Sequence, residues 1–175
     1  PQVGRPGDLE ALKRLSNRGV TAMVCDSTNA HLSGTTGSEG GLVDSLTSLF
    51  SKFERKIGVA CFASNVARLR TIALAAKKND RNVSLVGRSL WRMYEVAREN
   101  GYLLDVPDFI SEKDIGFFPD DKVVIICTGS QGEPRAALNR IADNSHPEIS
   151  LMGGDVVIFS SRQITGNEKA ISRVQ

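Results

Sequence analysis

Thr128-Gly-Ser-Gln-Gly-Glu-Pro134 is where this chain most plainly carries chemistry. Two hydroxyls, an amide and two glycines stand directly after five apolar residues, Val123 to Cys127. Such a run reads as a strand covered on both faces of a parallel sheet. Pro134 suits the first position of the following helix, because it has no N–H to leave unpaired. A small polar turn between a strand's carboxyl end and a helix's positive end is where doubly wound α/β folds take ligands, anions above all. The same residues would also make a tight turn that uses glycine for geometry alone.

The pattern recurs. Asp26-Ser-Thr-Asn29, Ser64-Asn65, Gly87-Arg-Ser89 and Ser160-Ser161 each follow an apolar run, as Thr128-Gly-Ser-Gln131 does. Ser64 or Asn65 could cap a helix starting at Val66, or donate to a phosphate at the same place. Arg88 carries a planar, permanent charge suited to phosphate oxygens. A cation at a helix start opposes the helix dipole, and an anionic partner would relieve that conflict. Asp26 could act as a catalytic carboxylate or as a turn former with Ser27.

The elements that must position these turns are legible in outline. Asp8 caps a first helix whose stripe is Leu9, Leu12 and Leu15, opened by Pro6-Gly7 and ended by Gly19. Strands are expected at 20–25, 57–62, 83–86, 123–127 and 156–159, with a short edge strand at Phe109-Ile110. Helices are expected at 39–56, from Val66 with Val66, Leu69, Ala73 and Ala76 inward, after Ser89 with Leu90, Met93, Val96 and Ala97 on one face, at 134–142, and from about Gly166 to the end. Arg68, Arg70, Lys77 and Lys78 fall mostly outward. Strands alternating with helices give an α/β fold: a doubly wound, mostly parallel sheet with helices on both faces. In such a sheet all the polar strand ends lie along one edge.

Composition closes off several functions. No apolar run approaches the ~20 residues of a membrane span. The two histidines, His31 and His146, are far apart, and no H-x-x-x-H or C-x-x-C pair exists, so no metal site is expected. The phosphate loop G-x-x-x-x-G-K-[ST] and the dinucleotide fingerprint G-x-G-x-x-G are both absent. Cys25, Cys61 and Cys127 each end an apolar run and read as buried, reduced thiols, which fits the cytoplasm. Between Lys52 and Arg98 stand eleven Lys/Arg and three Asp/Glu, a net +8 in a chain of net +2. That basic middle is either a phosphate-facing surface or a set of solvated helix faces.

Taken in order, the turns resemble one family. Cys25-Asp-Ser-Thr-Asn-Ala30 with Gly34 to Glu39, Phe62-Ala-Ser-Asn-Val66, Val86-Gly-Arg-Ser-Leu90, Thr128 to Pro134, and Val157-Ile-Phe-Ser-Ser-Arg162 with Gly166-Asn-Glu168 are similar to ribonuclease J, a β-CASP member of the metallo-β-lactamase nucleases. The resemblance implies a Rossmann-like β-CASP domain over residues 34–175, unfinished at its C-terminal end, with 1–33 closing the metallo-β-lactamase-like portion. A sequence that opens on Pro1 without a starting Met fits a piece of a longer chain.

By the same resemblance the parent is an RNA-cleaving enzyme with 5′-to-3′ exonuclease and endonuclease activity. Its two zinc ions would be held by histidine and aspartate ligands outside this chain, so no cofactor is expected here and the chain alone is expected to be inactive. Asp26 falls on an acidic motif that supports an active-site histidine. Ser64, Asn65, Gly87, Arg88 and Ser89 are carried over to a 5′-monophosphate pocket, and Thr128, Gly129, Ser130, Gln131, Ser160 and Ser161 to the RNA wall of the cleft. The implied partners are single-stranded RNA and the rest of the same polypeptide, with neither DNA nor membrane. Ala67 stands where many relatives carry histidine, and Ser33 and Thr165 where proline is usual. A non-catalytic nucleotide-binding or regulatory domain is the other function these strand ends allow.

Overall fold

The computed structural model describes residues 7–27, 31, 33, 34 and 37–175. Pro6, Thr28, Asn29 and Ala30, which the sequence places at the first helix start and in the first turn, lie outside the described residues. Four strands form one sheet: β1 (Ile57–Ala60), β2 (Asn82–Val86), β3 (Val123–Cys127) and β4 (Val156–Phe159). Their order is β2-β3-β1-β4, and every pairing is parallel. Six helices accompany them: α1 (Leu9–Asn17), α2 (Leu42–Phe50), α3 (Val66–Lys78), α4 (Arg88–Glu99), α5 (Ala137–Ala142) and α6 (Glu168–Val174).

β3 is buried at all five residues, as its unbroken apolar run predicts. Its side chains alternate between two cores. Val124 and Ile126 face the one built from Phe50, Leu69, Ile72 and Leu90, so α2, α3 and α4 cover that side. Val123, Ile125 and Cys127 face the one holding Ala137, Leu138 and Ile141, with Val174 against it, so α5 and α6 cover the other.

The order of the strands then determines where ligands can enter. Read across the sheet, the helices that follow β2, β3, β1 and β4 are α4, α5, α3 and α6, on alternating faces. Neighbouring strands thus send their chains to opposite sides, and a gap opens beyond each pair of carboxyl ends. The chain passes from β2 through α4 to Ile110, whose N–H donates to the Val83 carbonyl at 2.9 Å outside β2. It then returns to β3 through the short 3₁₀ turns Ile115–Phe117 and Asp120–Lys122.

Some expectations from sequence need correction. Residues 20–25 form no strand; Met23 and Val24 are exposed, and no ladder partner pairs with them among the described residues. A strand without a neighbour leaves its N–H and C=O groups to water. Cys25 is accordingly exposed rather than buried. The helix expected to run to residue 56 stops at Phe50, where the Phe53 N–H donates to the Phe50 carbonyl and the chain turns toward β1. Pro134 does not open α5. It lies inside a turn closed by Ala136 N–H to the Glu133 carbonyl at 3.0 Å, a place its fixed φ also suits. On α4 the inward residue is Tyr94 and not Val96, which is 44% exposed. No helix among the described residues is long and apolar enough to cross a membrane.

Candidate nucleic-acid interface

Gly87, Thr128, Cys61 and Ser160 follow the ends of β2, β3, β1 and β4, and so succeed one another along a single edge. At the β1 end, Asn65 caps α3: its Oδ1 accepts from the Arg68 N–H at 3.0 Å. Ser64 beside it is exposed. At the β2 end, Gly87 takes φ +124°, which frees the chain to turn straight into α4, and no side chain caps that helix. Arg88 and Ser89 are exposed there.

The β3 turn is held from both directions. Thr128 caps α5, its Oγ1 accepting from Ala137 N–H at 3.3 Å and its carbonyl from Leu138 N–H at 2.9 Å. This explains why α5 starts three residues past Pro134. Gln131 is buried and fully engaged: Nε2 donates to Ser161 Oγ at 3.2 Å and the Arg162 carbonyl at 3.0 Å, and Oε1 accepts from Ile164 N–H at 2.9 Å and Asn167 Nδ2 at 3.2 Å. It ties the β3 turn to the segment after β4. Gly132 lets α6 close on that turn, since a Cβ there would meet the backbone of Ala170 and Ile171. Gly129 is buried, and the Ser130 hydroxyl is buried with no hydrogen-bond partner among the described residues.

Arg68 is the residue the sequence misplaced. Instead of pointing outward it forks onto Glu39, Nε to Oε1 at 2.6 Å and Nη2 to Oε2 at 3.0 Å, with both side chains less than one-fifth exposed. Its Nη1 also donates to the carbonyl and hydroxyl of Ser160. The Glu39 pair raises the guanidinium's already high pKa. The only hint in sequence is that Arg68 sits three residues after the capping Asn65, a position near the edge rather than on an outer face.

About half of the basic middle is paired within the fold. Arg55, Lys56, Arg68, Arg70, Lys78 and Arg98, six of its eleven cations, are ion-paired to carboxylates outside that segment. Arg81 is buried and donates to the Arg55 and Phe53 carbonyls. What remains at the edge is local: Arg88 lines an open pocket of about 600 Å³ with Gly87, Ser89, Thr128, Arg135 and Arg140.

The structure thus brings Gly87, Arg88, Ser89 and Thr128 together. Ser64 and Asn65 lie across β3 from them and do not line that pocket. Ser160 and Ser161 bond to Arg68 and Gln131. Asp26 is exposed in the segment before residue 28, off the sheet. No group of three His, Cys, Asp or Glu that could hold a metal ion comes together among the described residues. The two zinc ions implied by resemblance, whose ligands the resemblance puts outside this chain, find no ligand set among the described side chains. Burial pushes the thiols of Cys61 and Cys127 up to about 11 and about 12, so neither is a nucleophile at neutral pH.

Fold and edge together define a doubly wound α/β domain of parallel strands with ligand crevices at the strand ends. More specifically, the chain belongs to the ribonuclease J β-CASP domain family, which matches residues 54–175. It is 43% identical over 175 residues to ribonuclease J of Sinorhizobium meliloti, covering all of this chain and 31% of that protein. It is 45% identical over 172 residues to ribonuclease J of Mycolicibacterium smegmatis, covering 98% of this chain and 31% of that one. Ribonuclease J of Helicobacter pylori (strain J99) is 37% identical over 175 residues, 99% of this chain and 25% of its own length. The chain therefore spans between a quarter and a third of these relatives.

Proposed function

We propose that this chain is the RNA-binding β-CASP part of a ribonuclease J-type nuclease, and that it forms the wall against which a single RNA strand lies. Residues 34–175 are the β-CASP unit, and 1–33 lead out of a metallo-β-lactamase-like part. Support for that boundary comes from Glu39, already bonded to Arg68, and from Leu46 and Phe50, already in the core. Two zinc ions on the rest of the polypeptide would supply the hydrolytic chemistry when bound. The residues here do the holding. Arg88 and the uncapped start of α4 meet phosphate, Thr128 and Ser64 offer hydroxyls on either side of β3, and the Arg68 and Gln131 clamps keep the edge in register.

The observation that carries this reading is the convergence of four polar strand ends on one edge, with Arg88 unpaired beside them. A 5′-monophosphate is the finer expectation, because an uncapped helix start and a guanidinium suit a terminal phosphate better than a neutral hydroxyl. RNA is favoured over DNA by the family, and a reducing cytoplasm by the two buried free thiols. Fluorescence-anisotropy titrations of 5′-monophosphorylated and 5′-hydroxyl RNA test it. Tighter binding of the phosphorylated strand is expected, with the preference lost in Arg88→Ala and overall affinity reduced in Ser64→Ala. Equal binding of the two ends would remove the end-recognition assignment, and no RNA binding would remove the reading.

A further inference from the structure

Two apolar side chains stand uncovered on an otherwise polar edge. Phe62 follows β1 and is 38% exposed; Ile164 follows β4 and is 52% exposed. Their strands are neighbours in the sheet, on the side of β3 away from Arg88. The chain around them is polar, with Ser64 and Asn65 just after Phe62 and Ser160 and Ser161 just before Ile164. A ring and an aliphatic group rimmed by hydroxyls and amides do not make the contiguous apolar patch that a protein partner covers. They match a nucleobase, whose faces stack on apolar groups and whose edges carry donors and acceptors.

The fold fixes both residues. Cys61 N–H donates to the Cys127 carbonyl and Asn65 N–H to the Phe62 carbonyl, each at 3.1 Å, so the sheet and a tight turn hold the chain on either side of the ring. Ile164 N–H donates to Gln131 Oε1 at 2.9 Å, and its carbonyl accepts from Asn167 N–H at 3.0 Å. Gln131 is 5% exposed, and its side chain bonds Ser161, Arg162, Ile164 and Asn167. A buried amide is thus committed to a loop whose side chains from Arg162 to Thr165 are exposed. An apolar group held rigidly in water loses little freedom on meeting a ligand.

We infer that Phe62 is the stacking platform for one nucleobase of the bound strand, with Ile164 as an apolar wall at the neighbouring strand end. The edge is then divided by β3: phosphate is met on the Arg88 side and a base on the Phe62 side. Stacking on a ring tolerates any base, because every base has a π-face, and it favours single strands, whose bases are free to be splayed onto a side chain. The inference rests on the RNA-binding reading and adds to it a contact that involves no charge.

Single-stranded RNA carrying 2-aminopurine at successive positions tests the platform, because the fluorescence of that base falls when it stacks. Quenching is expected at one position on the parent chain and should be lost in Phe62→Leu, which keeps apolar bulk without the ring. Phe62→Leu should weaken RNA binding by at least about fivefold, the low end of what one stacked base contributes. The slope of log K against log salt should not change, since no phosphate contact is lost. Phe62→Trp should retain both quenching and affinity. An abasic nucleotide at the quenched position should weaken the parent as much as Phe62→Leu does, and weaken that variant no further. Ile164→Ser, at an exposed position, should weaken binding with the same indifference to salt, and it carries the test if Phe62→Leu melts below the parent. Phe117→Leu, 85% exposed in the turn before β3, should bind as the parent does. Undiminished binding in Phe62→Leu and Ile164→Ser overturns the platform, leaves the RNA reading standing and turns both side chains over to a protein contact. Equal losses on intact and abasic RNA in Phe62→Leu overturn the platform too. No RNA binding by the parent overturns the RNA reading and the platform with it.

Discussion

Arg68 Nη1 reaches 92 residues along the chain to bond Ser160 at both its carbonyl, 2.6 Å away, and its hydroxyl, 2.7 Å away. The remaining nitrogens of the same side chain hold Glu39. One guanidinium therefore joins the entry to α2, the start of α3 and the end of β4. The polar edge is rigid because its own side chains are spent on one another. This leaves ligand contacts to the few that are not.

Arg68→Ala should destabilise the chain by about 3 kcal/mol, because it strands a partly buried carboxylate and the Ser160 carbonyl together. Arg68→Lys should recover only part of this, since an ammonium cannot fork. Urea denaturation of the two variants checks it. A double-mutant cycle with Glu39→Gln should show coupling of more than about 0.5 kcal/mol, the threshold for residues in contact.

Gly132→Ala should cost at least ~1–3 kcal/mol. Its φ of +73° is poor for any side chain, and a Cβ would meet the α6 backbone at Ala170 and Ile171. Gly116→Ala, with open space around it, should stay within about 0.5 kcal/mol of the parent. Thermal melts of both variants give the comparison.

Much of this architecture was legible in sequence for a simple reason. Unbroken apolar runs and 3.6-residue stripes depend on local burial, so β1, β2, β3, β4 and α3 fall where they were expected. Strand order was not legible, because nothing local to Val83 or Ile57 says that β3 lies between them. Long-range polar partners were equally hidden. Arg68 and Arg70 are one residue type, both expected outward on one helix, yet one is clamped to Glu39 and the other forks onto Asp105 at the surface. Residues 20–25 have the apolar run of a strand but no ladder to join among the described residues. The strand-end pattern does not mark Arg135 or Arg140, because the first lies inside the turn before α5 and the second on α5 itself, whose start Thr128 sets.

His146 should make stability fall on mild acidification. Its pKa in the folded chain is lowered, by burial first and then by Arg140 against the opposing pull of Glu112 and Glu148. Protonation would also turn Nδ1 from an acceptor into a donor facing two N–H groups. The unfolded chain therefore binds this proton more readily, and stability drops as pH falls from about 6.5 toward the folded value. Melting temperatures at pH 7.5 and 5.5 should differ less in His146→Asn, whose Oδ1 can still accept but does not titrate.

Cys25 should react with a thiol reagent in the native protein, while Cys61 and Cys127 react only on unfolding. Burial holds the two inner thiols protonated, at about 11 and about 12. Counting released chromophore before and after adding denaturant checks this.

RNA binding at the strand-end edge turns on Arg88. The decisive measurement is the salt dependence of 5′-monophosphorylated RNA binding to the parent chain and to Arg88→Ala. Loss of one phosphate contact should weaken binding and flatten the slope of log K against log salt by about 0.7, the single-strand value per phosphate. An unchanged slope and affinity in Arg88→Ala would contradict the assignment of this edge as the RNA-binding wall.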